Sequence, residues 1–166
     1  MVILIKYYSP TDKFKDGGKM SQYLHGMKIG DKIKLSSKFG HNIYDKGCFT
    51  INNLIYDVDK ILMICGGSGI TPMIQLIDKI MSDNSDKTQL HLVFINRYED
   101  EIILRDKLDN YNNKLTDKQI KISHLLTRQD SCESLDEIYC GRPNIDILKK
   151  IIEPPNLSVS NICMLC

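Results

Sequence analysis

Cys65-Gly66-Gly67-Ser68-Gly69-Ile70-Thr71-Pro72 is the stretch of this sequence that decides the fold. It follows an apolar run at 60–65 and precedes a segment at 71–82 whose apolar residues recur at helical spacing. Glycines let the backbone turn tightly and approach a ligand, and the N–H groups at a helix start attract an anion. The stretch therefore predicts a buried strand, a phosphate-binding turn and a helix, with Thr71 as the helix cap and Pro72 at the first helical position.

The rest of the chain after residue 58 continues this alternation. Apolar or alternating runs predict strands at 90–95, 120–126 and 159–166, and helical spacing predicts helices at 99–111 and 144–152. Strands that alternate with helices are typical of βαβ units and a parallel sheet. Residues 58–166 are therefore predicted to form a Rossmann-like α/β nucleotide-binding domain.

Residues 1–55 have a different, turn-rich pattern. Strands are predicted at 3–8, 32–36 and 48–51 and a short helix at 21–27, which favours part of an antiparallel β-barrel domain. Asp16-Gly17-Gly18-Lys19-Met20-Ser21 is a second glycine turn before a helix, in which Lys19 adds a positive charge and Ser21 a hydroxyl. Two anion-binding turns in one small chain suggest two nucleotides.

Composition excludes several classes of function. A net charge of +1 argues against a nucleic-acid partner, and no apolar run reaches the roughly 18 residues of a membrane-spanning helix. With no export signal, a cytoplasmic location and reduced cysteines are expected. Cys163 and Cys166 form a lone C-x-x-C without a second ligand pair, so no metal site is expected, and residues three apart in a strand point to opposite faces.

Four motifs, in this order, resemble NADH-cytochrome b5 reductase and its relatives in the ferredoxin reductase-like superfamily, including the reductase end of nitrate reductases. They are Gly17-Gly18-Lys19-Met20-Ser21-Gln22-Tyr23-Leu24, Gly66-Gly67-Ser68-Gly69-Ile70-Thr71-Pro72-Met73, Asn96-Arg97 followed by Glu99-Asp100-Glu101-Ile102-Ile103-Leu104-Arg105, and Met164-Leu165-Cys166. The resemblance implies a flavoprotein that moves hydride from NADH to FAD and passes single electrons to a haem protein such as cytochrome b5. The family that the chain resembles also includes full-length members anchored to the endoplasmic reticulum or the mitochondrial outer membrane.

The resemblance implies a role for each matching residue. The FAD pyrophosphate would be held by Gly18, Lys19, Met20 and Ser21. The NADH phosphates would lie over the turn of Gly66, Gly67, Ser68, Gly69 and Pro72, with Thr71 and the Cys166 thiol beside the nicotinamide as the catalytic pair. Asn96 and Arg97 would contact the adenosine side of NADH.

Departures from the family pattern leave alternatives open. Where NADH-specific members carry an acid for the ribose, the chain has Thr127 and Arg128, which leaves room for NADPH, although Arg128 is equally well read as a solvated loop charge. The family's Arg-x-Tyr-Thr/Ser-Pro flavin motif is expected upstream of Met1 and its Gly-Pro-Pro after Cys166, so both ends are expected to be cut. A catalytically incomplete nucleotide-binding fragment and a methyltransferase-type domain remain alternative interpretations.

Overall fold

A computed structural model describes residues 4–35, 42–112, 119–129, 132 and 137–166. The chain forms two compact units, Met1–Gly40 and His41–Cys166. The described part of the first unit contains one helix, α1 (Lys19–His25). The assignment of residues 1–55 to a flavin-binding domain and 58–166 to a pyridine-nucleotide-binding domain remains a prediction.

The second unit contains two sheets. A three-stranded antiparallel meander is formed by β1 (Ile43–Asp45), β2 (Cys48–Ile51) and β3 (Leu54–Asp57). A five-stranded parallel sheet follows, in the order β7-β6-β5-β4-β8. Its strands are β4 (Lys60–Gly66), β5 (Gln89–Asn96), β6 (Ile120–Leu126), β7 (Ile138–Cys140) and β8 (Asn161–Leu165), and the helices between them are α2 (Ile70–Met81), α3 (Arg105–Asn112) and α4 (Ile145–Ile151). The predicted α/β class with a parallel sheet and an antiparallel part is confirmed.

Strand β4 has a large core on one face and a smaller one on the other. Ile61, Met63 and Cys65 are buried with the apolar stripe of α2, as the helical spacing predicted. Leu62 and Ile64 point to the opposite face, where they pack against the smaller cluster that includes Ile151 of α4. The strand is therefore covered on both faces, which accounts for its continuous apolar sequence.

Several predicted elements are wrong in detail. Residues 4–8 and 32–35 form no strand; the only pairing described in that unit is a single bridge between Thr11 and Phe14, and an isolated strand cannot satisfy its backbone groups. The helix predicted at 99–111 is divided into a 3₁₀ turn at Glu99–Glu101 and α3, because Leu104 adopts a left-handed φ of 61° that a right-handed helix cannot contain.

The start of α2 also differs from the prediction. The helix begins at Ile70, so Thr71 is its second residue and makes no capping hydrogen bond, and Pro72 is its third residue. A 3₁₀ turn at Gly67–Gly69 precedes α2 and moves the helix start forward. Pro72 is tolerated because the N–H groups of the first turn have no partner within a helix.

The cysteines also depart from the expectation of reduced thiols, because Cys132 and Cys140 form a disulfide. Their Cα atoms are 5.8 Å apart. Cys140 is the last residue of β7, a strand that was not predicted. Four cysteines are unpaired: Cys48, Cys65, Cys163 and Cys166. Over the described ranges, no helix is long and apolar enough to cross a membrane.

Tyr44 connects the antiparallel meander to the amino edge of the parallel sheet. Its side chain is 6% exposed, and its hydroxyl donates to Asp86 Oδ2 at 2.6 Å, lies 2.7 Å from Thr88 Oγ1 and accepts from the Gly47 N–H. Burial, followed by the hydrogen bond to Asp86, raises the pKa of Tyr44 to about 12. The phenol is therefore a buried hub whose loss leaves several partners unsatisfied.

Tyr44→Phe should lower the free energy of unfolding by about 1–3 kcal/mol, because Asp86 and the Gly47 N–H lose a buried partner. Urea denaturation at pH 7 measures this, with Tyr56→Phe on the exposed β3 as the matched control. Because the pKa of Tyr44 is higher in the folded state than in the unfolded chain, its contribution to the free energy of unfolding is complete below pH 10. This contribution is lost as the pH rises through about 12. A loss of stability in Tyr44→Phe no larger than that in Tyr56→Phe would show that the Tyr44 hydroxyl does not stabilise the fold in this way.

Candidate nucleotide-binding site

The strand order of the parallel sheet reverses at one point. The chain proceeds from β4 outward through β5, β6 and β7, and then returns to place β8 on the other side of β4. Ligands of open α/β sheets bind outside the carboxyl ends of the strands at the point where the strand order reverses. Here that point lies between β4 and β8, where Gly66 and Cys166 meet.

The turn after β4 has the backbone geometry of an anion site. Gly67 has a left-handed φ of 50°, and a Cβ added to it would have nothing within 4 Å. Neither the 3₁₀ turn nor α2 receives a capping hydrogen bond from a side chain. The start of this 12-residue helix thus has no side-chain cap, and the turn before it leaves space at Gly67 that an anion such as a diphosphate could occupy.

Gly69 is required for a different reason, a close approach to β8. A Cβ at this position would lie 2.8 Å from the Cys166 carbonyl oxygen and 3.3 Å from its Sγ. Cys166 itself is held by two backbone hydrogen bonds, from its N–H to the Ile64 carbonyl (3.0 Å) and from the Gly66 N–H to its carbonyl (3.1 Å). The backbone of Cys166 is thus held beside the glycine turn, with its Sγ close to Gly69; the role of this thiol beside the nicotinamide remains a prediction.

Asn96 is the last residue of β5 and brings an unsatisfied amide to this edge. The residue is 6% exposed, and its Nδ2 has no hydrogen-bond partner in the described structure. Strand alternation puts it on the same face as Phe94, which lies in the α2 core. A buried amide without a partner costs about 1–3 kcal/mol, so an acceptor oxygen on a ligand at this edge would stabilise it.

The segments after β5 and β6 are joined through their backbones. The Thr127 N–H donates to the Asn96 carbonyl (2.9 Å) and the Arg128 N–H to the Arg97 carbonyl (3.0 Å). Arg128 is exposed. Four of the predicted nucleotide contacts, Asn96, Arg97, Thr127 and Arg128, are therefore brought together at the same edge as the glycine turn.

The Arg97 side chain is held by Glu101, a pairing that was not predicted from the sequence. Its guanidinium forms a two-point contact with the Glu101 carboxylate, with Nε to Oε2 at 2.8 Å and Nη2 to Oε1 as the second bond. Glu99 likewise binds Arg105 at 3.0 Å. Opposite charges four residues apart were the signal that could have revealed the Arg97 pair.

The glycine turn of the first unit is closed by its own chain. The Ser21 hydroxyl donates to the Gly18 carbonyl (2.9 Å) and accepts from the Tyr8 N–H (3.1 Å), and Ser21 is 7% exposed. Lys19 and Met20 are exposed at the start of α1. The Ser21 hydroxyl thus already has two partners within the chain.

Comparison with known proteins gives the family. Residues 63–165 match the oxidoreductase NAD-binding domain, which is well over half of the chain. The chain belongs to this family. The match includes the glycine turn, Asn96 and β8, and it excludes the methyltransferase interpretation.

Relatives of this NAD-binding domain include plant nitrate reductases. The chain is 42% identical over 120 residues to nitrate reductase [NADH] 1 of Zea mays, covering 70% of the chain and 19% of that protein. It is 33% identical over 165 residues to nitrate reductase [NADH] 2 of Nicotiana tabacum, covering 98% of the chain and 18% of that protein. The chain thus spans less than a fifth of the length of these relatives.

A solved structure extends the similarity to the whole chain. The cytochrome b5 reductase domain of Ulva prolifera nitrate reductase superimposes with a TM-score of 0.84 at 30% identity. The alignment covers 98% of this chain and 61% of that one. The ferredoxin reductase-like fold expected from the resemblance is confirmed.

Gly69→Ala should lower the free energy of unfolding by about 1–3 kcal/mol, because the new methyl group collides with the Cys166 backbone. Gly66→Ala is the matched control: the φ of Gly66 is −126°, and the added Cβ would make only an ordinary van der Waals contact, 3.7 Å from the Ile95 carbonyl oxygen. Urea denaturation of both variants measures the difference. Equal stabilities would show that the Gly69–Cys166 contact is not tight.

Proposed function

We propose that the chain is the pyridine-nucleotide-binding part of a flavoprotein reductase that transfers hydride from NADH to FAD and passes electrons to a one-electron acceptor. The observation that carries this proposal is the open turn at Gly67, at the start of the uncapped helix α2 and at the switch point of the sheet. A haem protein such as cytochrome b5 is the acceptor we expect. In support, the similar plant proteins are named as NADH-dependent nitrate reductases and the similar structure as a cytochrome b5 reductase domain.

Each residue at the carboxyl edge has a proposed task. The N–H groups of Gly67, Ser68 and Gly69 hold the diphosphate, helped by the positive end of the α2 dipole. Asn96 Nδ2 donates to the nucleotide and thereby gains its missing partner. Thr71, on the first turn of α2, and the Cys166 thiol border the nicotinamide and exclude water from it.

When bound, NADH would supply the hydride and FAD would be its acceptor. The protein's contribution is positioning: Cys166 is fixed by two backbone hydrogen bonds, and Gly69 leaves room for it. For FAD, we propose that the backbone of Gly18 and Lys19, with Met20 and Ser21, meets the pyrophosphate.

A second candidate function is a pyridine-nucleotide-binding domain without its own flavin chemistry. The observation that favours it is the Ser21 hydroxyl, which is already bonded to Gly18 and Tyr8. This protein would bind NADH but not turn it over unaided. The two candidates differ in whether FAD binds.

The purified chain, incubated with FAD, should reduce ferricyanide with NADH. Gly67→Val should abolish or strongly weaken NADH binding, because its side chain fills the open turn and is strained at positive φ. Gly47→Val is the matched control, since Gly47 also has a positive φ, of 76°, but lies in the β1–β2 turn. Calorimetry measures NADH binding, and flavin absorbance measures FAD loading.

The outcomes separate the candidates. NADH binding without FAD binding would favour the second candidate, and no NADH binding by the folded chain would end both. Equal loss of NADH binding in the two valine variants would mean that strain, not the turn, is responsible.

We also propose that Arg128 sets the choice between NADH and NADPH, because a cation at this edge attracts a 2′-phosphate. Arg128→Ala should raise KM for NADPH while KM for NADH changes little. Arg142→Ala, another exposed arginine, is the control for net charge. An unchanged ratio of kcat/KM for the two nucleotides would leave Arg128 as a solvated loop charge.

A further inference from the structure

Cys166 has a sequence partner in the C-x-x-C pair, but the structure gives it a different neighbour. The Cys166 N–H bonds to the Ile64 carbonyl, and its carbonyl accepts from the Gly66 N–H. A residue that bonds to positions i−1 and i+1 of a parallel neighbour is directly opposite position i. Cys166 is therefore the register partner of Cys65, one step beyond the Ile64–Leu165 pair.

The two thiols also lie on the same face of the sheet. Cys65 is buried in the α2 core together with Met63. Met164, two residues before Cys166, packs against that core, so strand alternation directs the Cys166 side chain to the same side. Cys163 pairs with Leu62, whose side chain packs on the opposite face.

The spacing suits a disulfide. Neighbouring strands lie about 4.8 Å apart, and Cα atoms joined by a disulfide are usually about 4.4–6.8 Å apart. The two sulfurs differ in exposure, since Cys65 is 1% exposed and Cys166 is exposed. Burial, and then the neighbouring Cys166 thiol, raise the pKa of Cys65 to about 12. The same burial keeps this thiol out of reach of an oxidant in solution, whereas the adjacent Cys166 sulfur can still reach it.

We propose that Cys65 and Cys166 form a redox-active dithiol beneath the glycine turn, with Cys166 as the sulfur that a peroxide oxidises and Cys65 as the sulfur that resolves it. In the first step, the Cys166 thiol reacts with hydrogen peroxide to give a sulfenic acid and one water. In the second, the Cys65 sulfur attacks the Cys166 sulfur as the Cys65 thiol proton passes to the departing hydroxyl oxygen, so that the S–O bond breaks and a second water is released. Two thiols and one peroxide thus give one disulfide and two waters.

The disulfide would act on the site already described, and this consequence rests on the proposed function. The bond removes the thiol placed beside the nicotinamide and draws the Cys166 sulfur, which lies next to Gly69, down toward β4. Oxidation should therefore cause loss of NADH-dependent turnover, and a dithiol reductant should restore it.

The test is peptide mapping of the folded chain after treatment with hydrogen peroxide and alkylation of the remaining thiols. Trypsin releases Cys65 within residues 61–79, which contain no other cysteine, and Cys166 in the peptide that begins at Ile151. Mass spectrometry without reductant should detect these two peptides joined with the loss of two hydrogens. The link should persist in Cys163→Ser and disappear in Cys166→Ser.

Cys65→Ala is the matched control for turnover, because it keeps Cys166 and the Cys132–Cys140 disulfide but has no resolving thiol. Its peroxide inactivation should not be reversed by the dithiol reductant once sulfinic acid forms, whereas the parent protein should recover. A disulfide between Cys65 and Cys163 would overturn the proposed Cys65–Cys166 dithiol. Oxidation of Cys166 without any disulfide to Cys65 would overturn it as well. Because the map needs no nucleotide, a link in a protein that never turns over NADH would reject only the proposed function.

Discussion

Strand β4 is hydrogen-bonded in parallel on both sides, to β5 and to β8, and everything else in the second unit depends on this pairing. Because parallel strands end at the same edge, the pairing brings Gly66, Asn96 and Cys166 together although they are far apart in sequence. The strand order also reverses between β4 and β8, and open α/β sheets bind their ligands at such a point. A different partner for β4 would leave the glycine turn without the neighbours that give it a function.

Burial decides which groups at this edge can interact with a ligand. The N–H groups at the start of α2 have no side-chain cap, and Asn96 Nδ2 has no partner within the described residues, so both gain by meeting an acceptor. Arg97 is different, because Glu101 already holds its guanidinium. A nucleotide phosphate that used Arg97 would have to compete with that carboxylate, whereas Arg128 carries its charge on an exposed segment.

The opposite edge of the sheet shows how a polar network can be structural. The side chains of Tyr44, Asp86 and Thr88 form hydrogen bonds with one another, and the Thr88 N–H also donates to Asp86. These polar groups therefore do not need a ligand as a partner. The same reasoning applies to Ser21, whose two hydrogen bonds are internal. Glycine turns that look alike in sequence can therefore differ in what they offer to an anion.

The sequence by itself determined the α/β class, the apolar strand β4, the stripe of α2 and the glycine turn between them, because each depends on periodicity or on glycine within a few consecutive residues. It could not place the break at Leu104, the start of α2 at Ile70 or the absence of strands in residues 4–8 and 32–35, since these depend on what each segment packs against. Only the tertiary structure decided that Cys166 faces Cys65 and not Cys163. Strand register is a property of two segments together, and no pattern within either one specifies it.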